Sequence, residues 1–326
     1  MISNNYFKYS FVIIFQKGEI ELKSLFLVLS LKKFSNCNYE IIGAIPDMYG
    51  RIEYPNDLSI KILDKLGVKI EYIKNTFCHD RSVEIIGDKH ANKLFALNLP
   101  LSSDKIIFLD SDMLCLSNFS HKEYFVNNPF LAKQVDVANV TRWPAIYDIF
   151  NMPLPDHKIP CTVDNKLLPP YFNAGFIALD TKISSDFSNE CIEVFKKLSH
   201  PEILSRRLFN PVFRDQISIS IAIQKLKIPI ATIDESYNYP IRHKHFFKRL
   251  PILVHYHDPI TVFNNKLLYK EFINYINSDS ELKGVITNFP NWEKLFAKKR
   301  IVGEIKKYEL SIRKRLNKIK NKKSII

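Results

Sequence analysis

The sequence predicts an α/β fold, a doubly wound and mostly parallel sheet flanked by helices, followed by a basic C-terminal helix. Three observations lead there. Short apolar stretches alternate with segments of helical spacing through most of the chain. Stretches such as 105–109, "KIIFL", are almost continuously apolar, as strands covered on both faces are. Glycine is scarce, 8 of 326 residues, which argues against a succession of tight hairpins.

The elements follow in order. Residues 9–15, "YSFVIIF", read as the first strand. Residues 19–34 have helical spacing, with Leu22, Leu25, Phe26, Leu29 and Leu31 mostly on one side. Residues 39–45, "YEIIGAI", read as a second strand that Pro46 ends. A helix is expected over 57–66, a strand over 68–73, a helix over 89–98 and a strand over 105–109. The stretch 139–170 carries six prolines and little periodicity, and reads as a long loop or lid with one short helix. Further on come a strand at 174–179, helices at 186–198 and 213–226, a short strand at 229–233 and a strand at 251–256. From about 292 the chain is helical, with Ile301, Ile305, Tyr308, Ile312, Leu316 and Ile319 on one stripe and Lys/Arg around them. The expected organisation is one domain over 1–290, with 139–170 as an insertion, and a basic amphipathic tail over 291–326.

Composition limits the function. With 46% apolar residues the chain is able to bury a large core. The net charge of +13 is concentrated at the end: residues 298–326 hold twelve Lys/Arg against two Glu, which leaves +3 for the rest. The basic character belongs to the tail, and a nucleic-acid-binding body is not indicated. The tail suits either an anionic membrane surface or a protein face that covers its apolar stripe. Neither Gly-x-Gly-x-x-Gly nor a Walker-type lysine loop occurs in the sequence. Five widely spaced cysteines without Cys-x-x-Cys point to a reducing compartment. The first residues lack a basic segment and a cleavage site, so a cytoplasmic protein, peripheral on the membrane if the tail binds there, is expected.

The chemistry concentrates at two strand ends. "KIIFL" runs into Asp110-Ser111-Asp112, and in an open parallel sheet ligands sit beyond the carboxyl ends of strands. Carboxylates at i and i+2 of an extended segment point the same way and favour a cation between them. Oxygen ligands suit Mg²⁺ or Mn²⁺, which in turn suit phosphate oxygens. A bare Asp-x-Asp is also what a turn or helix cap uses. The second end is "PILVHYHDP", where His255 and His257 share a face if the strand persists, and histidine suits Mn²⁺ beside carboxylates. A structural histidine is the alternative there. The cluster "RHKHFFKR", 242–249, reads as a basic loop, either solvated or facing a diphosphate.

These pieces resemble the family 8 glycosyltransferases, the glycogenin and lipopolysaccharide galactosyltransferase group with the GT-A fold. "NKLFALNLPLSSDKIIFLDSDMLCLSNF" (92–119), "YFNAGFIALD" (171–180), "FRDQISISIAI" (213–223) and "VHYHDP" occur in the family's order. The resemblance implies a nucleotide-diphosphate sugar donor, a UDP-sugar, and transfer of a hexose with retention to a glycan, lipid-linked or protein acceptor. It implies metal ligation by Asp110, Asp112 and His255, with His257 as a rival. Lys93 is placed at the donor diphosphate or sugar, and Asn173, Ala174 and Gly175 at the donor sugar. Asp215 and Gln216 fall near the anomeric carbon, and Ser111 and Gln16 join the donor-binding set. Two departures stand out. The lysine that follows the family's histidine is absent, which leaves Lys244, Lys248 or Arg249 as substitutes, and Gln16 and Lys17 stand where the first strand often delivers an acid. A sugar nucleotidyltransferase and a catalytically inactive carbohydrate- or nucleotide-binding relative are the competing readings. Trp143 and Tyr147 are candidates either for acceptor stacking or for the core of the proline-rich loop.

Overall fold

The six residues Tyr9–Ile14 are buried on both faces and form the first strand, β1. The computed structural model describes residues 8–35, 37–48, 51–52, 54–79, 88–119, 123–139, 141–244, 250–294 and 296. The chain divides into two units, Met1–His257 and Asp258–Ile326. In the first, β1 leads to α1 (Glu19–Phe34), β2 (Tyr39–Met48), β3 (Arg51–Ile52), α2 (Asp57–Lys65) and β4 (Lys69–Asn75). Then come α3 (Asn92–Ala96), β5 (Lys105–Leu109), β6 (Met113–Cys115), α4 (Glu123–Asn127), β7 (Phe130–Gln134) and α5 (Trp143–Ile149). A small hairpin of β8 (Ile159–Pro160) and β9 (Leu167–Leu168) precedes β10 (Phe172–Asp180) and α6 (Thr181–Leu198). The unit closes with α7 (Pro201–Ser205), α8 (Arg214–Lys225), β11 (Ile230–Thr232), β12 (Tyr239–Pro240) and β13 (Leu253–His255).

Eight strands form the main sheet in the order β11-β7-β10-β5-β1-β2-β3, with β4 also on β2. β1 is parallel to both β2 and β5, and β2 is parallel to β4. The predicted fold class stands: the sheet is mostly parallel and carries helices. The departures are the short β3, antiparallel to β2, and β10, which runs antiparallel to both neighbours, β5 and β7. The core of β10, Ala174–Leu179, is buried throughout, so burial alone gave no hint of its direction. β6, β12 and β13 form a separate three-stranded sheet.

Local chemistry explains the boundaries. α1 is buried around most of its circumference, and carries Glu19 and Glu21 in its first turn and Lys32 and Lys33 in its last, matching its dipole. Gly18 before it has φ +101°, which a side chain rarely adopts. Pro46 does not end β2, which continues to Met48. The Ala44 carbonyl faces β1, accepting from the Phe15 N–H at 2.8 Å, so Pro46 two residues on faces the same side. β1 has ended there, and the missing N–H breaks no ladder bond. The 89–98 helix is reduced to α3 after a 3₁₀ turn at Asp88–Ala91. Lys105, buried at the start of β5, donates to Asp180 at 2.5 Å and to the Asn128 carbonyl at 2.7 Å.

The second unit begins with α9 (Pro259–Asn264), followed by α10 (Lys266–Ser278) and α11 (Ser280–Ile286). Asp258 caps α9 by accepting from the Thr261 N–H at 2.8 Å, with Pro259 at the first helical position, which accounts for Asp-Pro in the sequence. Trp292 packs 5.7 Å from Phe272. No helix among the described residues is long and apolar enough to cross a membrane. The basic stripe of 298–326, with Lys248 and Arg249, lies outside the described residues.

Candidate active site

The connections from β1 and β5 leave in opposite directions, one through α1 to β2 and the other toward β7 and β10. A crevice at the carboxyl ends of such strands is where α/β sheets hold ligands. A cavity of about 420 Å³ opens there. It is lined by Gln16 beyond β1, by Asp110, Ser111 and Asp112 beyond β5, and by Lys93, Asn173, Asp215, Gln216, His255 and His257. Apart from Ala174 and Gly175, the residues carried over position by position from the resemblance therefore line one cavity.

The Asp-Ser-Asp segment is a turn, closed by the Met113 N–H donating to the Asp110 carbonyl at 3.2 Å. The extended i, i+2 geometry expected for these carboxylates does not apply. Three bonds hold the turn. The Asp110 N–H donates to the Gly175 carbonyl at 2.9 Å, and the Tyr256 N–H to the Asp112 carbonyl at 3.0 Å. The Ser111 hydroxyl donates to the Ile14 carbonyl at 3.2 Å. β13 pairs antiparallel with β6, His255 opposite Met113, which brings His255 beside Asp112 across the small sheet.

The two carboxylates then separate by partner. Asp112 Oδ1 lies 2.9 Å from His255 Nε2. The strand does not persist to His257, whose φ of +63° turns the chain back. The turn brings the two imidazoles face to face at a tilt of 34°, with centroids 3.8 Å apart. Asp112, His255 and His257 each offer a ligand atom, all within 4.8 Å of one another. Burial opposes ionisation of Asp112, but His255, and then Lys23 and His257, hold its carboxyl well below the usual carboxylate range. Burial and the adjacent His255 push the His257 imidazole down to about 3, so it is neutral at neutral pH.

Asp110 instead faces Lys93, whose ammonium is 3.1 Å from Asp110 Oδ1 and 3.0 Å from Asp215 Oδ2. Burial works against the charge on Lys93, and the two carboxylates outweigh it and hold the ammonium above its usual range. Burial raises the Asp110 carboxyl, against the pull of Lys93. Asp215 lies in the first turn of α8, and Gln216 follows it into the cavity with a buried Oε1 that has no hydrogen-bond partner among the described residues.

An amide network supports the histidines from behind. Asn173 Oδ1 accepts from the Gly175 N–H at 2.9 Å and from Asn238 Nδ2 at 3.1 Å. Asn238 Oδ1 lies 3.2 Å from His255 Nδ1. A bulge in the β10–β7 pairing between Asn173 and Ile177 frees this stretch from the ladder. A Cβ on Gly175 would stand 2.9 Å from His255 Cε1 and 3.0 Å from Asn173 Oδ1, so Gly175 makes room for the imidazole. Ala174 is buried in the core. Gln16 accepts from Asn92 Nδ2 at 3.2 Å.

Trp143 and Tyr147 are buried in an apolar cluster with Tyr171, and fill the loop core in place of the acceptor-facing position considered for them. Lys244 binds both Glu235 oxygens, at 2.7 and 2.9 Å, and the Thr162 carbonyl at 2.8 Å, which directs it away from a diphosphate. A cation that no motif marked is Lys23 of α1. It lines the cavity, and its Nζ donates to the His257 carbonyl at 2.8 Å. The signal was a lysine near the start of the helix that follows β1 at the sheet's carboxyl edge. Asn238 was missed too, and nothing in "SYNYP" marks it.

A family model described as the Rhodobacterales glycosyltransferase domain matches residues 11–227, about two-thirds of the chain. No curated protein matches it. Among solved structures, the apo form of mouse xyloside xylosyltransferase 1 is similar with a TM-score of 0.45 at 11% identity, over 76% of this chain and 97% of that one.

Proposed function

We propose, from the premise that the chain belongs to the Rhodobacterales glycosyltransferase domain family, that it transfers a hexose from a nucleotide-diphosphate sugar bound in the Asp110–His257 cavity. The finer assignment is a UDP-sugar donor, a glycan, lipid-linked or protein acceptor, and retention, in a GT-A domain of the family 8 kind. The observation that carries the reading is the convergence of Asp112, His255 and His257 within 4.8 Å, in the same cavity as Lys93, Asp215 and Gln216.

The residues fit a divalent cation. One ionised carboxylate and two imidazoles meet, and His257 is neutral, as a ligand must be. Two nitrogens favour Mn²⁺ over Mg²⁺, which prefers oxygen. Asp112, His255 and His257 are the proposed holders, whereas Asp110 is directed to Lys93 and to the donor. A bound cation would supply charge stabilisation to the departing nucleoside diphosphate.

The remaining roles follow from the contacts. Lys23, whose hydrogen bond among the described residues is to a neutral carbonyl, faces the cavity as the cation for diphosphate oxygens. Asp215 is tied to Lys93 and positions that ammonium, which makes it a poor nucleophile. Gln216 Oε1, without a partner among the described residues, is the acceptor dipole for positive charge developing at the anomeric carbon.

A thermal-shift panel of UDP-, GDP- and CDP-sugars with and without Mn²⁺ tests this. Ligand at about 100 times its Kd stabilises the fold by about 2.7 kcal/mol. The expected result is a Mn²⁺-dependent shift with UDP-sugars, lost in Asp112→Ala. No metal-dependent shift with any donor sinks the proposal.

A further inference from the structure

The network behind His255 has a direction, and a backbone group sets it. The N–H of Gly175 is a donor and has no alternative. The Asn173 atom 2.9 Å from it must therefore be the side-chain oxygen. That oxygen also faces Asn238 at 3.1 Å, so the Asn238 atom there is the amide nitrogen, donating. The other end of the same amide, 3.2 Å from His255 Nδ1, is then the carbonyl oxygen. An oxygen at that distance requires the proton on Nδ1. Nε2, 2.9 Å from Asp112 Oδ1, is then the nitrogen whose place beside the carboxylate a proton fills in the free protein and a cation would take on binding.

We infer that Asn238 is a positioning residue: its Oδ1 accepts a hydrogen bond from His255 Nδ1–H and so presents Nε2 as the ligand atom beside Asp112. The inference rests on the metal reading proposed above and extends it to a residue that does not touch the metal. Asn238 is fully buried, and His255 is nearly so, so water does not compete for these bonds. The absent Cβ of Gly175 belongs to the same device, since it clears the space that the ring needs next to Asn173. The outward hydrogen bond of a ligating histidine sets its tautomer and ring orientation, and losing such a partner weakens metal binding about 10–100-fold.

The test uses the full chain and two measurements. Mn²⁺ affinity is read from the free-ion electron paramagnetic resonance signal for the wild type, Asn238→Leu and Asn238→Asp. Leucine removes the acceptor from Nδ1, whereas aspartate keeps an acceptor there and loses the amide that donates to Asn173 Oδ1. Expected is a Kd raised about 10–100-fold in Asn238→Leu and raised clearly less in Asn238→Asp. Binding weakened as much in Asn238→Asp as in Asn238→Leu, or wild-type affinity in Asn238→Leu, overturns the inference.

If Asn238→Leu does not fold, the wild type alone decides. ¹⁵N-histidine NMR, with His255 assigned by its loss in His255→Gln, reports which ring nitrogen carries the proton. A protonated Nδ1 supports the relay, and a bare Nδ1 with an Nε2 proton overturns it. Wild-type protein that binds no Mn²⁺ removes the metal reading instead, and the NMR result then judges the relay by itself.

Discussion

Replacing Lys93 by methionine isolates the best-defined charge cluster of the site. The substitution keeps the stem and removes one cation from between two carboxylates, at 3.1 and 3.0 Å. At an effective dielectric of about 20 each contact is worth about 5 kcal/mol of Coulomb energy before desolvation is subtracted. Removing one partner of a buried pair typically costs about 3–5 kcal/mol, because the charge left behind is uncompensated. Asp215, whose side chain is only 4% exposed, has little recourse to water. At about 2–4 °C per kcal/mol, the melting temperature of Lys93→Met should fall by about 6–20 °C. The loss is present in full at neutral pH: a lysine held above its unfolded value contributes fully below that value, and the contribution disappears only as pH rises through the native one. Asp215→Asn on the Lys93→Met background removes the stranded carboxylate and should recover part of the loss, as a double-mutant cycle by urea denaturation would show. A loss under about 1 kcal/mol in Lys93→Met refutes the reasoning. So does further destabilisation when Asp215→Asn is added.

Gly175→Ala places a methyl 2.9 Å from His255 Cε1 and should cost about 1–3 kcal/mol while lowering Mn²⁺ affinity; unchanged affinity in a Mn²⁺ titration would mean that the ring position is not what matters. The His257 imidazole sits at about 3 in the folded chain against an ordinary 6.5, so the unfolded chain binds the extra proton between those values. Stability should therefore fall with falling pH across that window, by up to about 1.4 kcal/mol per unit from this group. His257→Asn, which tolerates the left-handed backbone, should flatten the profile measured by urea denaturation. Lys23→Met should weaken donor binding about tenfold, the scale of one charged hydrogen bond, while Mn²⁺ binding without donor stays near wild type; calorimetry that finds donor affinity unchanged removes Lys23 from the diphosphate.

Much of the site was legible before folding because it lies at strand ends. Hydrophobic runs determine which residues are buried, and the first polar residues after such runs in a parallel sheet reach the ligand edge. Asp110 and Asp112 after "KIIFL" and His255 after "PILV" were found in that way, whereas Asn173 came from the resemblance of "YFNAGFIALD" to the family, and the strand over 105–109 agrees to the residue. Periodicity likewise marked α1 over 19–34.

Pairing was not legible, because a strand buried on both faces has the same pattern in either direction. Only the assembled sheet shows β10 running antiparallel beside β5, with the Asn173–Gly175 stretch carried over Asp110. Register between segments far apart in the chain decided the remaining partnerships. β6 and β13 set Asp112 against His255, the left-handed turn at His257 brought a second imidazole against the first, and Lys93 was drawn to Asp110 and Asp215. The sequence by itself determined which chemical groups reach the crevice, because burial patterning is local. Which carboxylate meets the histidines and which meets the lysine was decided only by tertiary structure, since side chains become neighbours through the crossing of distant strands and no local pattern encodes that crossing.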